Sequence, residues 1–103
     1  MNKPYNKVFV SQLANKNQFL IKYTNAKDIA LTFWAFQSYS TLIAMYNPNT
    51  KELLINWSMW DYSKTTLKHL KIFINEYTCY AYENKQQFLK EILKNDNIKT
   101  FNE

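Results

Sequence analysis

Leu53-Leu54-Ile55-Asn56-Trp57-Ser58-Met59-Trp60-Asp61-Tyr62-Ser63-Lys64-Thr65-Thr66-Leu67-Lys68-His69-Leu70 holds the transition that decides the fold. Up to Trp57 the chain has strand character; beyond it the hydrophobic period changes from two to about 3.6. Advancing about 100° per residue from Leu67 gathers Thr66, Leu67, Leu70, Phe73, Ile74 and Tyr77 into an arc of about 120°, a core-facing stripe. Lys64, Lys68, Lys71 and Asn75 fall together on another face, at the spacing of helix neighbours. Ser63 or Asp61 suits the N-cap, where a side-chain oxygen accepts from a free amide of the first turn. Asp61 also complements the positive helix end. The spacing predicts a helix from Ser63 to Tyr77.

Upstream lies a hairpin. Thr41–Tyr46 and Glu52–Trp57 flank Asn47-Pro48-Asn49-Thr50-Lys51, and Asn and Pro are turn formers. The chain contains no glycine, so an asparagine, Asn49 by preference, is expected at any left-handed turn position. Leu31–Gln37 is rich in aromatic and aliphatic residues and reads as a strand packed on both faces. Phe19–Tyr23 reads as another. The stretch 24–28 reads as a turn or loop, with a helical turn over 26–31 as the alternative. Val8-Phe9-Val10 suits an edge strand within an otherwise loose segment 1–17.

Downstream, Asn84 stands three residues before Gln87, a relaxed capping box. Phe88, Leu89, Ile92 and Leu93 give the following helix its apolar face, and Asn95-Asp96-Asn97 ends it. Residues 98–103 read as a loose tail on which Phe101 docks. The expected fold class is α+β: one domain over residues 1–103, with an antiparallel sheet of about four strands followed by two helices packed on one face. The other face is left to solvent or a partner. Trp34, Phe36 and Tyr46 bring more aromatic surface than one modest core requires.

Composition narrows the chemistry. Hydrophobic residues make up 47% of the 103 residues and aromatics 17%, too rich for a disordered chain. No apolar run approaches the roughly 20 residues that span a bilayer, and residues 1–5 lack a signal-peptide core. With one cysteine no internal disulfide forms, so the expectation is a cytoplasmic protein of a bacterial host cell. All 13 basic residues are lysine. Lacking glycine, the chain has no phosphate-cradling loop; lacking arginine, it makes no bidentate phosphate or guanine contact. The bias toward Lys, Asn, Tyr and Ile fits a low-GC genome. Net charge is +5, concentrated in the N-terminal half, which suits a solvated surface, a nucleic acid or an acidic protein.

No catalytic set emerges. Cys79 and His69 are the one conceivable cysteine pair, yet they lie about 15 Å apart along a continuous helix at about 1.5 Å per residue. Cys79 is expected as a small buried filler and His69 as a surface or boundary residue. The acids do not pair, and one His with one Cys falls short of a structural zinc ligand set. The expectation is no enzyme, no metal and no cofactor. Aromatics interleaved with lysines can stack unpaired bases, with Lys22, Tyr23, Trp34 and Tyr46 beside Lys64, Lys68 and Lys71 as candidates. The glycine-bearing RRM and KH motifs are missing.

Ser38-Tyr39-Ser40-Thr41-Leu42-Ile43-Ala44, followed by a hairpin and then Trp60-Asp61-Tyr62-Ser63-Lys64-Thr65-Thr66-Leu67-Lys68-His69, resembles a group of small uncharacterised proteins. They come from phages and mobile elements of low-GC Gram-positive bacteria. The likeness spans about residues 33–75 and implies a phage or prophage setting; it brings no activity to transfer. Physically, Trp60 and Tyr62 suit anchors for the chain crossing the sheet, and Ser63 caps the helix. The leading expectation is a non-enzymatic phage-type inhibitor that binds a host protein, such as a defence nuclease of the CRISPR–Cas kind. Its candidate partner-binding residues are Lys64, Lys68, Lys71, Trp60, Tyr62 and Trp34. A single-stranded nucleic-acid binder is the alternative, and a phage assembly protein a third. No membrane is expected as partner; the chain is taken as a monomer or homodimer.

Overall fold

Residues 7–12, 17–24 and 32–102 are described by a computed structural model. Of the turn expected at 24–28, Thr24 instead ends β2; its remainder, the helical alternative at 26–31, residues 1–6 and 13–16, and Glu103 lie outside the described residues. The element order is β1 (Lys7–Gln12), β2 (Gln18–Thr24), β3 (Phe33–Ser38), β4 (Thr41–Tyr46), β5 (Leu53–Asn56), α1 (Lys64–Tyr77), α2 (Lys85–Lys94) and β6 (Ile98–Phe101). The architecture is α+β, with six strands rather than about four, hydrogen-bonded in the order β1-β2-β3-β4-β5-β6. All pairs are antiparallel except β5 with β6. A parallel pair needs a long crossover, and α1 with α2 supplies it.

The sixth strand corrects the reading of the C-terminus as a loose tail. Leu53 N donates to Asn97 O at 2.9 Å and Trp57 N donates to Phe101 O at 2.7 Å, so the segment continues the ladder at both ends. Otherwise β5 would carry a bare edge of unpaired amides and carbonyls.

Register sorts the sheet into two faces. Lys22, Trp34, Tyr46, Leu53 and Ile98 face one another across successive strands, and Leu20, Phe36, Ala44 and Ile55 form the neighbouring row. Leu70, Phe73 and Ile74 of α1 and Phe88 of α2 join this face in one buried cluster. Phe36 stacks on Phe73 with centroids 6.1 Å apart. Each such ring contributes about 1.5–3 kcal/mol by leaving water. Phe36 and Tyr46 are buried here and Trp34 packs against the cluster, so the aromatics that looked surplus build the helix-covered core. On the reverse face run Ile21, Ala35, Met45 and Leu54; no described helix covers them.

The two hairpins solve the missing glycine differently from expectation. Lys51 (φ 66°) and Tyr39 (φ 55°) take left-handed conformations, not Asn49. Asn47 Oδ1 accepts from the amides of Asn49 at 2.8 Å and Thr50 at 3.2 Å. That side-chain turn uses up the first residues of the loop and passes the left-handed position to Lys51. Tyr39 closes the tight β3–β4 turn, its amide donating to Asn17 O at 2.7 Å.

Candidate binding groove

The path from β5 into α1 is set by Asn56, which is fully buried. Its Nδ2 donates to Leu42 O at 2.9 Å and its Oδ1 accepts from Ser58 N at 3.2 Å. Its carbonyl accepts from Met59 N at 3.2 Å and Trp60 N at 2.9 Å. These bonds curl the chain so that Trp60 enters the core, 5.1 Å from the Phe88 ring. Trp57 stacks outside it at 5.3 Å.

Ser63 caps α1, accepting from Thr66 N at 3.1 Å. The cap belongs to a chain of hydroxyls: Ser63 Oγ donates to Thr66 Oγ1 at 3.0 Å, and Thr66 Oγ1 lies 3.1 Å from Ser38 Oγ on β3. The Tyr62 hydroxyl reaches the same serine at 3.3 Å. Ser38 and Thr66 are buried, and mutual bonding lets these hydroxyls leave water at modest cost.

Across the helix, a groove of about 220 Å³ opens between α1 and the segment leading into α2, lined by Trp60, Leu67, Lys68, Lys71, Tyr82, Glu83, Asn84 and Lys85. Trp60 and Tyr82 form a buried apolar floor, 4% and 6% exposed. Asn75 fastens the far wall: its Oδ1 accepts from Tyr82 N at 2.8 Å and its Nδ2 donates to Tyr82 O at 3.0 Å. Asn84 caps α2 through Gln87 N at 2.9 Å. Lys85 pairs with Asp61 at 3.1 Å and lies 5.3 Å from the Trp60 centroid. Among the described residues neither Lys68 nor Lys71 has an ion-pair partner. The Tyr82 hydroxyl is buried without a hydrogen-bond partner, and burial raises its pKa.

A second hollow, of about 310 Å³, lies at the C-terminal end of α1, lined by Trp34, Tyr46, Pro48, Lys51, Glu76, Tyr77, Thr78 and Cys79. The Lys22 ammonium sits 5.5 Å from the Trp34 centroid and 5.7 Å from that of Tyr77. Tyr46 Oη accepts from Cys79 N at 3.3 Å. Burial first, then the neighbouring Cys79, pushes the Tyr46 pKa up to about 12. Tyr80, T-stacked on Tyr46, donates to Lys51 O at 2.6 Å; burial raises its pKa too.

The six residues singled out by sequence therefore part company. Trp60, Lys68 and Lys71 meet in the groove. Lys64 is exposed at the first turn of α1 and does not line it. Tyr62 binds back to β3, and Trp34 lines the other hollow. Of the residues proposed to stack bases, Tyr46 is core at 2% exposed, whereas Lys22, Tyr23 and Trp34 are half-buried, with Lys22 over the Trp34 ring and Tyr23 stacked on Phe33. His69 is buried rather than at the surface; its Nδ1 lies 2.8 Å from Thr65 O, which satisfies one ring nitrogen within the helix. Cys79 is exposed rather than buried, because α1 stops at the Thr78 cap and the chain leaves the apolar stripe.

A model of a family of unknown function, DUF8033, matches residues 6–97. The chain belongs to that family. Every residue lining both hollows falls inside the DUF8033 span, whereas β6 begins just past it. No curated protein and no solved structure matches the chain. Among the described residues no helix is long and apolar enough to cross a membrane, and no three His, Cys, Asp or Glu side chains gather as metal ligands.

Proposed function

We propose that this chain is a non-enzymatic binding protein that docks on a host protein and blocks it, as a phage-encoded inhibitor of a defence nuclease does. One observation carries the reading: Lys68 and Lys71, free of ion-pair partners among the described residues, stand over an apolar cavity floored by Trp60 and Tyr82. An apolar pocket beside uncompensated charge is the anatomy of a docking site. Of the side chains that looked most chemical, His69 bonds within its own helix and Cys79 lies exposed beyond the end of it.

The test is affinity purification from a low-GC Gram-positive host, paired with a phage and plasmid protection assay. A stoichiometric host protein together with protection is expected. Finding neither would sink the proposal.

Nucleic-acid binding is the second reading, favoured by Trp57, which is 39% exposed and stacks on Trp60 of the groove. It requires oligonucleotide binding at low salt that weakens steeply as salt rises.

A further inference from the structure

We infer that the groove receives an acidic segment of a partner protein, which seats one large apolar side chain in the cavity and sets its carboxylates against Lys68 and Lys71. The inference rests on the binding reading above and adds the chemistry of the occupant.

Charge complementarity is the first argument. Glu83 is the one acid lining the groove, and Lys85 is already held by Asp61. The unbalanced charge therefore lies on the α1 wall. Lys68 and Lys71 are three residues apart on α1, the spacing of neighbours on one helix face, and both line the groove. Lys64 sits one turn earlier on the same helix and lengthens the strip. An extended acidic segment running along α1 meets these charges in turn.

The cavity supplies the second argument. Its volume of about 220 Å³ far exceeds the roughly 10–15 Å³ that a single water needs, so water fills it. Its floor offers those waters little: Trp60, Leu67 and Tyr82 are predominantly apolar side chains. An aromatic or large aliphatic side chain that displaces them gains burial on entry, and such desolvated anchors dominate interface energetics.

Trp60 also separates protein from nucleic acid as the occupant. A base needs an open aromatic face. The Trp60 ring has Trp57 stacked at 5.3 Å, Phe88 at 5.1 Å and the Lys85 ammonium 5.3 Å from its centroid. The Trp60 ring therefore offers no open face on which a base could lie flat, whereas a side chain can enter against the groove walls. Without arginine, the chain offers phosphate only the point charges of lysine.

The full-length chain is tested with a fluorescent synthetic peptide in which Glu and Asp flank a single Phe. Comparison ligands are the same peptide with Ser for Phe, the same peptide with Gln and Asn for its acids, and an oligothymidine. The acidic Phe peptide binds at low salt, and either change to it weakens binding by about tenfold or more. Lys68→Glu weakens it by about tenfold. Lys90→Glu, which changes net charge equally from an exposed position on α2, stays within about twofold. Thermal unfolding of both variants establishes that they fold.

Equal binding of the neutral peptide, equal loss in Lys68→Glu and Lys90→Glu, or tighter binding of the oligothymidine overturns the inference. The two proposals fail separately. A captured host protein whose capture survives Lys68→Glu removes the groove as the site and leaves the binding function standing. Peptide binding without host capture or protection removes the inhibitor function and leaves the chemistry of the groove.

Discussion

The groove and the aromatic hollow share helix α1, yet their hydroxyls are in opposite states. In the hollow, Lys22 rests on Trp34 and Tyr77, Tyr46 accepts from Cys79 N, and Tyr80 donates to Lys51 O. Thr78 Oγ1 donates to Ile74 O at 2.7 Å and accepts from Tyr80 N at 3.0 Å. In the groove, the two α1 lysines lack ion-pair partners among the described residues and the Tyr82 hydroxyl has no acceptor. Lys51 and Glu76, which line the hollow, also lack ion-pair partners among the described residues, but they are of opposite sign, whereas the two α1 lysines of the groove are of one sign and have free energy to gain from an acidic ligand.

Removing the packing both share breaks the contrast most severely. Phe73 lies between Phe36 and Tyr77, with centroids 6.1 Å from each. Phe73→Ala should cost about 3–5 kcal/mol in urea unfolding and disturb both hollows together. Alkaline pH acts next, on three tyrosines at once. Burial holds Tyr46, Tyr80 and Tyr82 in the neutral form, with the Tyr46 pKa at about 12. Above the ordinary tyrosine value of about 10, the unfolded chain loses these protons before the folded chain does. Stability should therefore be level up to about pH 10 and fall as pH rises toward 12. Thermal unfolding against pH should show the fall, and tyrosinate absorbance should show a late-titrating group.

Smaller changes separate the hollows. Asn75→Ala removes two bonds to the Tyr82 backbone, at about 1 kcal/mol each. It should weaken the acidic Phe peptide and leave Tyr46 titrating as before. Lys22→Met and Lys68→Met form the finest comparison. The first removes a cation from two rings and should cost about 0.5–1 kcal/mol of stability with peptide affinity unchanged. The second should leave stability within about 0.5 kcal/mol and weaken the peptide. A stability loss for Lys68→Met equal to that for Lys22→Met would erase the distinction.

Legibility followed the distance over which each feature is decided. The α1 stripe, the Ser63 cap and the Asn84 cap were readable because their partners lie within four residues. The β4–β5 hairpin was readable for the same reason, with its turn chemistry beside it. The groove was half readable: Trp60, Lys68 and Lys71 stood out, while Tyr82 and Lys85 carried no local signal linking them to α1. Asn75 was visible only as another polar residue beside the lysines. Its role depends on the chain returning to place Tyr82 opposite it.

Sequence alone determined the change of period after Trp57, the helix caps, the absence of glycine and arginine, and the lysine face of α1. These are local or compositional properties, set by backbone geometry and side-chain type. Tertiary structure alone decided that Ile98–Phe101 is a strand, because the open edge of β5 recruits it. It also decided that Lys51 takes the left-handed turn position, that His69 is buried and that Trp34 packs half-buried against the core. The same long-range packing holds Lys22, Lys85 and Lys99 against rings or carboxylates and leaves Lys68 and Lys71 without an ion-pair partner among the described residues.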